Sequence, residues 1–295
     1  MALRRSVIRL GALFVLSIGL AILSACGASP APTRPTPPPV TPPANALPVI
    51  DSITVQGSRA KEPANFADAA EGVTVTAKVH DDETPVDQLL YAWTATAGTF
   101  TGTGTAVTWV APATVPSPAT VTITLNVTEK YGTGNAFEHS VESSATLSLH
   151  DSVGEVATMS RQFLLDFSDS NIRDVPYIMR NFAKGRCPQP EEVDSEYSDV
   201  TLNRQERRIT DSSVGASGTS INFGGACPFR SKRGDACAVV PVFWADVVLA
   251  TGKTSTTRGN DIVAASYSSQ DQRWWLCASD YQGLSTIGTP FHFSR

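Results

Sequence analysis

Val121-Thr122-Ile123-Thr124-Leu125-Asn126-Val127-Thr128 alternates apolar and polar side chains without a break. A period of two puts Val121, Ile123, Leu125 and Val127 on one face of a strand and the polar residues on the other. Val73-Thr74-Val75-Thr76-Ala77-Lys78-Val79 repeats the pattern. Working outward, Val49–Val55, Leu89–Thr96, Ala106–Val110 and Ala145–Leu149 are short runs of the same character separated by turn residues. Short strands at this spacing predict a two-layer antiparallel sandwich over residues 49–150.

Particular residues sharpen that expectation. Tyr91-Ala92-Trp93, Gly98-Thr99-Phe100, Val107-Thr108-Trp109-Val110-Ala111-Pro112 and Glu129-Lys130-Tyr131-Gly132 follow one another. Together they resemble the polycystic-kidney-disease (PKD) class of immunoglobulin-like domains. In that class a Tyr-x-Trp strand supplies core aromatics and a later strand ends in a Thr-Asp-x-x-Gly turn. Glu129 stands in place of the Asp, and the Trp-Asp-Phe-Gly-Asp-Gly centre of the best-known members is missing. The resemblance implies a spacer or contact module. Trp93 and Trp109 read as core. The acidic loop His80-Asp81-Asp82-Glu83 with Asp87 is rich enough in oxygen ligands for Ca²⁺, but it lacks their regular spacing and reads as a solvated loop.

Residues 158–295 change character. Met159, Phe163 and Phe167 recur every four residues, predicting a helix over 156–167. Asp174 with Pro176 opens a second helix that Lys184-Gly185 closes, and 191–198 is a third helical piece. Long strands follow over 237–250, 261–267 and 273–281. Helices followed by an antiparallel meander predict an α+β domain with helices on one sheet face; a second β-rich sandwich is the alternative. Arg273-Trp274-Trp275-Leu276-Cys277 after a polar turn resembles the last hairpin of the nuclear-transport-factor-like (cystatin-like) fold. The fold class expected is therefore multidomain: an all-β Ig-like sandwich, then a disulfide-bonded α+β domain.

Of 295 residues only 17% are charged, against about 25% in an average domain. The net charge of −5 conceals an uneven distribution: residues 1–46 carry four Arg and no acid, 47–157 carry 4 basic and 13 acidic residues, and 158–295 balance. This excludes a basic nucleic-acid-binding protein. Arg4, Arg5 and Arg9 precede the uncharged run Leu10–Leu23, which is too short for a comfortable membrane span and fits a signal h-region. The run ends in Leu23-Ser24-Ala25-Cys26, which resembles the bacterial lipobox. That resemblance implies cleavage after residue 25, acylation of Cys26 (thioether lipid and amide-linked fatty acid such as palmitate), and a chain anchored on the outer side of a bacterial membrane. Arg4-Arg5 also resembles a twin-arginine export signal, although Leu3 stands where Ser or Thr is usual. Nine Pro between Ala28 and Pro48 make residues 26–48 a tether of extended polyproline II.

With Cys26 assigned to lipid, Cys187, Cys227, Cys237 and Cys277 remain, an even number in an exported domain. Cys227 and Cys237 flank one short polar loop and are expected to pair, leaving Cys187 to Cys277; three connectivities exist in principle. No Cys-x-x-Cys is present and His292 is the lone His after residue 158, so no metal or cofactor is expected. No catalytic motif is found either: Gly215-Ala216-Ser217-Gly218 does not complete a nucleophile elbow, and His80, His139 and His150 are scattered. Trp244, Tyr267, Trp274 and Trp275 are candidate ligand contacts, with core packing as the competing role. Neighbouring Trp274 and Trp275 must point to opposite faces of a strand. Arg204, Arg207 and Arg208, and separately Arg230, Lys232 and Arg233, read as solvated faces. Two classes of function follow. One is a non-catalytic lipoprotein presenting a binding domain to a protein, glycan or small ligand. The other is an extracytoplasmic enzyme with its pocket in the C-terminal domain, marked by polar groups such as Asp246 or Asp261 beside a cavity.

Overall fold

The computed structural model describes residues 44–57, 59, 62–224 and 234–286. The signal run, Cys26, most of the tether, Cys227 and the cluster Arg230, Lys232, Arg233 lie outside them. Residues 42–295 form one compact unit, β-rich throughout.

The first half contains two four-stranded sheets. One runs in the order β1 (Val49–Gln56), β3 (Gly72–His80), β6 (Ala106–Val110), β5 (Thr99–Thr101), all antiparallel. The other runs β2 (Phe66–Asp68), β8 (Phe137–His150), β7 (Ala119–Tyr131), β4 (Leu90–Ala95), with β2 parallel to β8 and the other pairs antiparallel. The alternation read from sequence sets the packing. Val73 and Val75 of β3 and Trp109 of β6 meet Val121 and Ile123 of β7 and Leu147 and Leu149 of β8 in one core. Trp109 is wholly buried, and its Nε1 donates to the Ala97 carbonyl at 2.9 Å. The adjacent Gly98 has φ +79°, and a Cβ there would lie 2.5 Å from the indole nitrogen, so glycine is required on both counts. Glu129 lies within β7, not in a turn, and is fully buried, accepting from Asn45 and Thr84. Asp81 of the acidic loop accepts from the backbone N–H of Glu83 and Thr84, closing its own turn.

The second half is a five-stranded antiparallel sheet carrying helices. Its order is β10 (Ser220–Phe223), β11 (Ala236–Val248), β12 (Thr254–Ser268), β13 (Arg273–Thr286), with β9 (Arg207–Val214) pairing the other end of β11. Helix α1 (Ser152–Ser168) buries Val156, Phe163, Leu164 and Phe167 against Ala238, Val240, Val242 and Trp244 of β11 and Leu276 of β13. Fully burying such side chains stabilises the fold by roughly 1.5–3 kcal/mol each.

Several expectations shift in detail. Helix α1 begins at Ser152, one turn ahead of the expected residue 156, because Asp151 caps it, its Oδ1 accepting from the Gly154 N–H. Helix α2 (Val175–Ile178) is capped by Asp174 as expected but stops well before Lys184. The chain then turns so that Phe182 bridges Leu276 and packs edge-on to Phe163. Helix α3 is longer than the 191–198 segment, covering Pro190–Glu206. Its inward positions are Val193, Glu196, Val200 and Asn203, so two polar residues break the apolar periodicity that would have marked it.

A bulge leaves Cys277 unpaired between Leu276, opposite Ala265, and Ala278, opposite Ala264. Cys277 is bonded to Cys187, tying the α2–α3 connection to β13. Cys237 is also disulfide-bonded; its expected partner, Cys227, lies outside the described residues. The cluster Arg204, Arg207, Arg208 is not a solvated face. Arg204 donates to the Asp166 and Phe167 carbonyls at the end of α1, and Arg207 pairs with buried Asp246. Only Arg208 is exposed. Among the described residues no helix is long and apolar enough to cross a membrane.

Candidate functional site

The two halves meet along the end of β8. Upstream, β8 alternates between more and less exposed positions, but Leu147 to His150 are all buried. Leu147 and Leu149 face the sandwich core, so Ser148 and His150 face outward, where β2, α1 and β12 cover them. Phe66 stacks on the His150 ring at 5.0 Å and 14°, and Tyr267 meets both rings edge-on. Trp274 packs edge-on to Tyr267, and its Nε1 donates to Ser152 Oγ at 3.1 Å.

Two adjoining cavities open here and share Pro63, Phe66, Tyr267 and Ser269. The first has aromatic walls of Phe66, Phe223, Tyr267 and Trp274 with Arg59, Glu62 and Asp235 at its edge. The Arg59 guanidinium lies 4.2 Å from the Phe223 ring centroid and pairs with Glu62 and Asp68. Burial raises the pKa of both carboxyls above its ordinary value, against the pull of Arg59. Glu62, Asp68 and Glu71 are the one group among the described residues whose carboxylates gather closely enough to hold a metal ion. Arg59 already supplies a cation there.

The second cavity is polar, lined by Asn65, Thr120, Thr146, Ser148, Ser269 and Gln272 among others. On its wall Ser148 Oγ lies 2.7 Å from His150 Nε2, and His150 Nδ1 lies 2.8 Å from Glu155 Oε1. A carboxylate only accepts, so Nδ1 carries the proton and donates to Glu155, leaving Nε2 to accept from hydroxyls. The Tyr267 hydroxyl is 3.1 Å from the same Nε2. Burial first, aided by the charges of Glu155 and Asp68, raises the Tyr267 pKa against a hydrogen bond with Ser148 that lowers it. The same Glu155 oxygen also accepts from the Ser117 hydroxyl.

Of the four aromatic residues singled out in the sequence, Tyr267 and Trp274 line this junction. Trp244 does not: it is fully buried in the second core, edge-on to Phe167. Trp275 points to the opposite face, half-exposed, with Arg273 4.0 Å over its ring and its Nε1 donating to Asp271. The polar groups of the second half sit in its interior. Asp246 accepts from Arg207 and Ser255. Glu196 accepts from the backbone N–H and hydroxyl of Ser279, and burial pushes its pKa up to about 7. Asp261 is fully buried with neither oxygen hydrogen-bonded among the described residues; burial, then the neighbouring Glu196 and Asp280, raise its pKa well above the ordinary value.

Sequence reading sets His150 aside as one of three scattered histidines and does not single out Ser148 or Glu155, because no catalytic motif joins them along the chain. The available signal was Ser-x-His at the end of a strand, which puts both side chains on one face, with an acid in the first turn of the next helix. No protein-family model matches the chain, and no curated protein does.

Proposed function

We propose that this chain is an exported lipoprotein that binds a small ligand or the end of a glycan in the junction cavities. In this reading residues 49–150 form an Ig-like module of the PKD class and the following α+β domain has the cystatin-like cone shape. The observation that carries the reading is the adjoining pair of cavities. One is walled by aromatic faces that suit the C–H face of a sugar ring, and the other is lined by hydroxyls and amides that suit its hydroxyls. Both halves contribute walls, so the first half is part of the receptor and not only a spacer. The lipobox-like Leu23-Ser24-Ala25-Cys26 and the Pro-rich tether support anchoring through acylated Cys26, with the receptor held up to roughly 60 Å from the membrane.

Two outcomes are expected. Ser269→Trp, at an exposed turn on the rim shared by both cavities, abolishes binding in a glycan-array and small-sugar titration while the melting temperature stays within a few degrees. Unchanged binding by this variant places the ligand elsewhere. Separately, Cys26→Ser moves the protein from the membrane to the soluble fraction of the expressing cell; membrane retention refutes lipid anchoring.

A further inference from the structure

We propose that Ser148 is an activated nucleophile, with His150 as its general base, acting on the acyl carbon of a small polar ester held in the second junction cavity. Three geometric facts carry this. Ser148 Oγ is within hydrogen-bond reach of His150 Nε2, at 2.7 Å, and His150 Nδ1 is within reach of Glu155 at 2.8 Å. Nucleophile, base and orienting acid are the parts a serine hydrolase needs, and they are recognised by geometry rather than by order in the chain. The base is fully buried while the serine, 9% exposed, lies on a cavity wall. Each part is also fixed in place. Ser148 and His150 lie on one strand face clamped by β2, Phe66 stacks on the imidazole, and Ser117 holds Glu155.

The step balances without a cofactor. Ser148 Oγ attacks the ester carbonyl carbon, and its proton passes to His150 Nε2. Glu155, accepting from Nδ1–H, stabilises the imidazolium. The Oγ–C bond forms, the C–O bond to the alcohol breaks, and the alcohol leaves with the proton from Nε2. Water then repeats the cycle on acyl-Ser148, releasing a carboxylic acid and restoring the serine. Tyr267, whose hydroxyl lies 3.1 Å from Nε2, is the donor beside the reacting atoms. The hydroxyls and amides around Ser148 select a polar, hydroxyl-bearing ester over a long-chain lipid. This activity does not depend on which ligand the aromatic cavity takes.

An alkyl fluorophosphonate tests it directly, since the same attack forms Oγ–P and expels fluoride. The full chain is expected to take one label, mapped by peptide mass spectrometry to Ser148. Ser148→Ala is expected to take none, and Glu155→Gln to label ~10²-fold more slowly, because the imidazolium loses its counter-charge. The wild type unfolded in urea, where the three residues are dispersed, is expected to lose the label, which gives a comparison that needs no variant to fold. No label on Ser148 in the folded protein, or equal labelling folded and unfolded, overturns the proposal.

Discussion

Replacing Cys187 and Cys277 together by Ala is expected to lower the stability of the folded chain by about 4–5 kcal/mol. The bond closes a loop across a sequence separation of 90, and the chain-entropy cost that it removes from the unfolded state is about 4–5 kcal/mol for loops of this length. The position makes the native consequence local as well. Cys187 ends the segment in which Phe182 bridges Leu276, and Cys277 is the bulged residue of β13. Without the bond, the α2–α3 connection is held to the sheet by non-covalent contacts alone: Phe182 against Leu276, the Asn181 carbonyl accepting from the Leu276 N–H, the Asn181 side chain accepting from Arg273, and the Arg186–Asp271 pair. Urea unfolding under oxidising conditions measures the change. A loss below about 1 kcal/mol would mean that the unfolded chain is already compact around this connection.

The second large effect is a gain. Glu196→Gln is expected to stabilise the protein by about 3 kcal/mol above pH 7 and to leave it nearly unchanged near pH 4. The Glu196 carboxyl is fully buried, with a pKa near 7 in the fold against 4.5 in the open chain. The folded state therefore holds a proton that the unfolded state has lost between these values. Its contribution to stability is fully present below about pH 4.5 and is lost as pH rises to about 7, at about 1.4 kcal/mol per pH unit. Asp199 on its own helix and Asp280 on β13 add to the burial that opposes its ionisation, and the Glu196 charge in turn adds to the burial that keeps Asp261 on β12 protonated. Glutamine keeps one acceptor for the Ser279 N–H and gains a donor for its hydroxyl. Denaturant midpoints of wild type and variant from pH 4 to 8 test this; parallel curves would show that Glu196 is not the group that titrates.

Much of the architecture was legible in the sequence because it rests on short-range periodicity. The strand at 121–128 and its partner at 73–79 bury the faces that alternation assigns. The breaks in legibility have equally local causes. Helix α3 was truncated because its buried face includes Glu196 and Asn203, which read as solvent-facing. The cluster Arg204, Arg207, Arg208 read as a charged surface because its partners, the end of α1 and Asp246 on β11, lie about 40 residues away along the chain. Trp244 reads from sequence as either a ligand contact or a core residue, and the approach of Phe167 decides that the ring is enclosed.

Spacing along the chain was enough for the β-rich character of the fold, for the faces that the strands at 73–79 and 121–128 bury, and for the placement of Trp274 and Trp275 on opposite faces, since each follows from neighbours in sequence. The tertiary structure alone decided the junction. Ser148 and His150 occupy the polar, outward positions of β8, which alternation assigns to water. They are buried because a helix beginning two residues later turns the second half back over them and brings Tyr267, far along the chain, against the same imidazole. Alternation describes one sheet against its own core and carries no information about what closes over its other face.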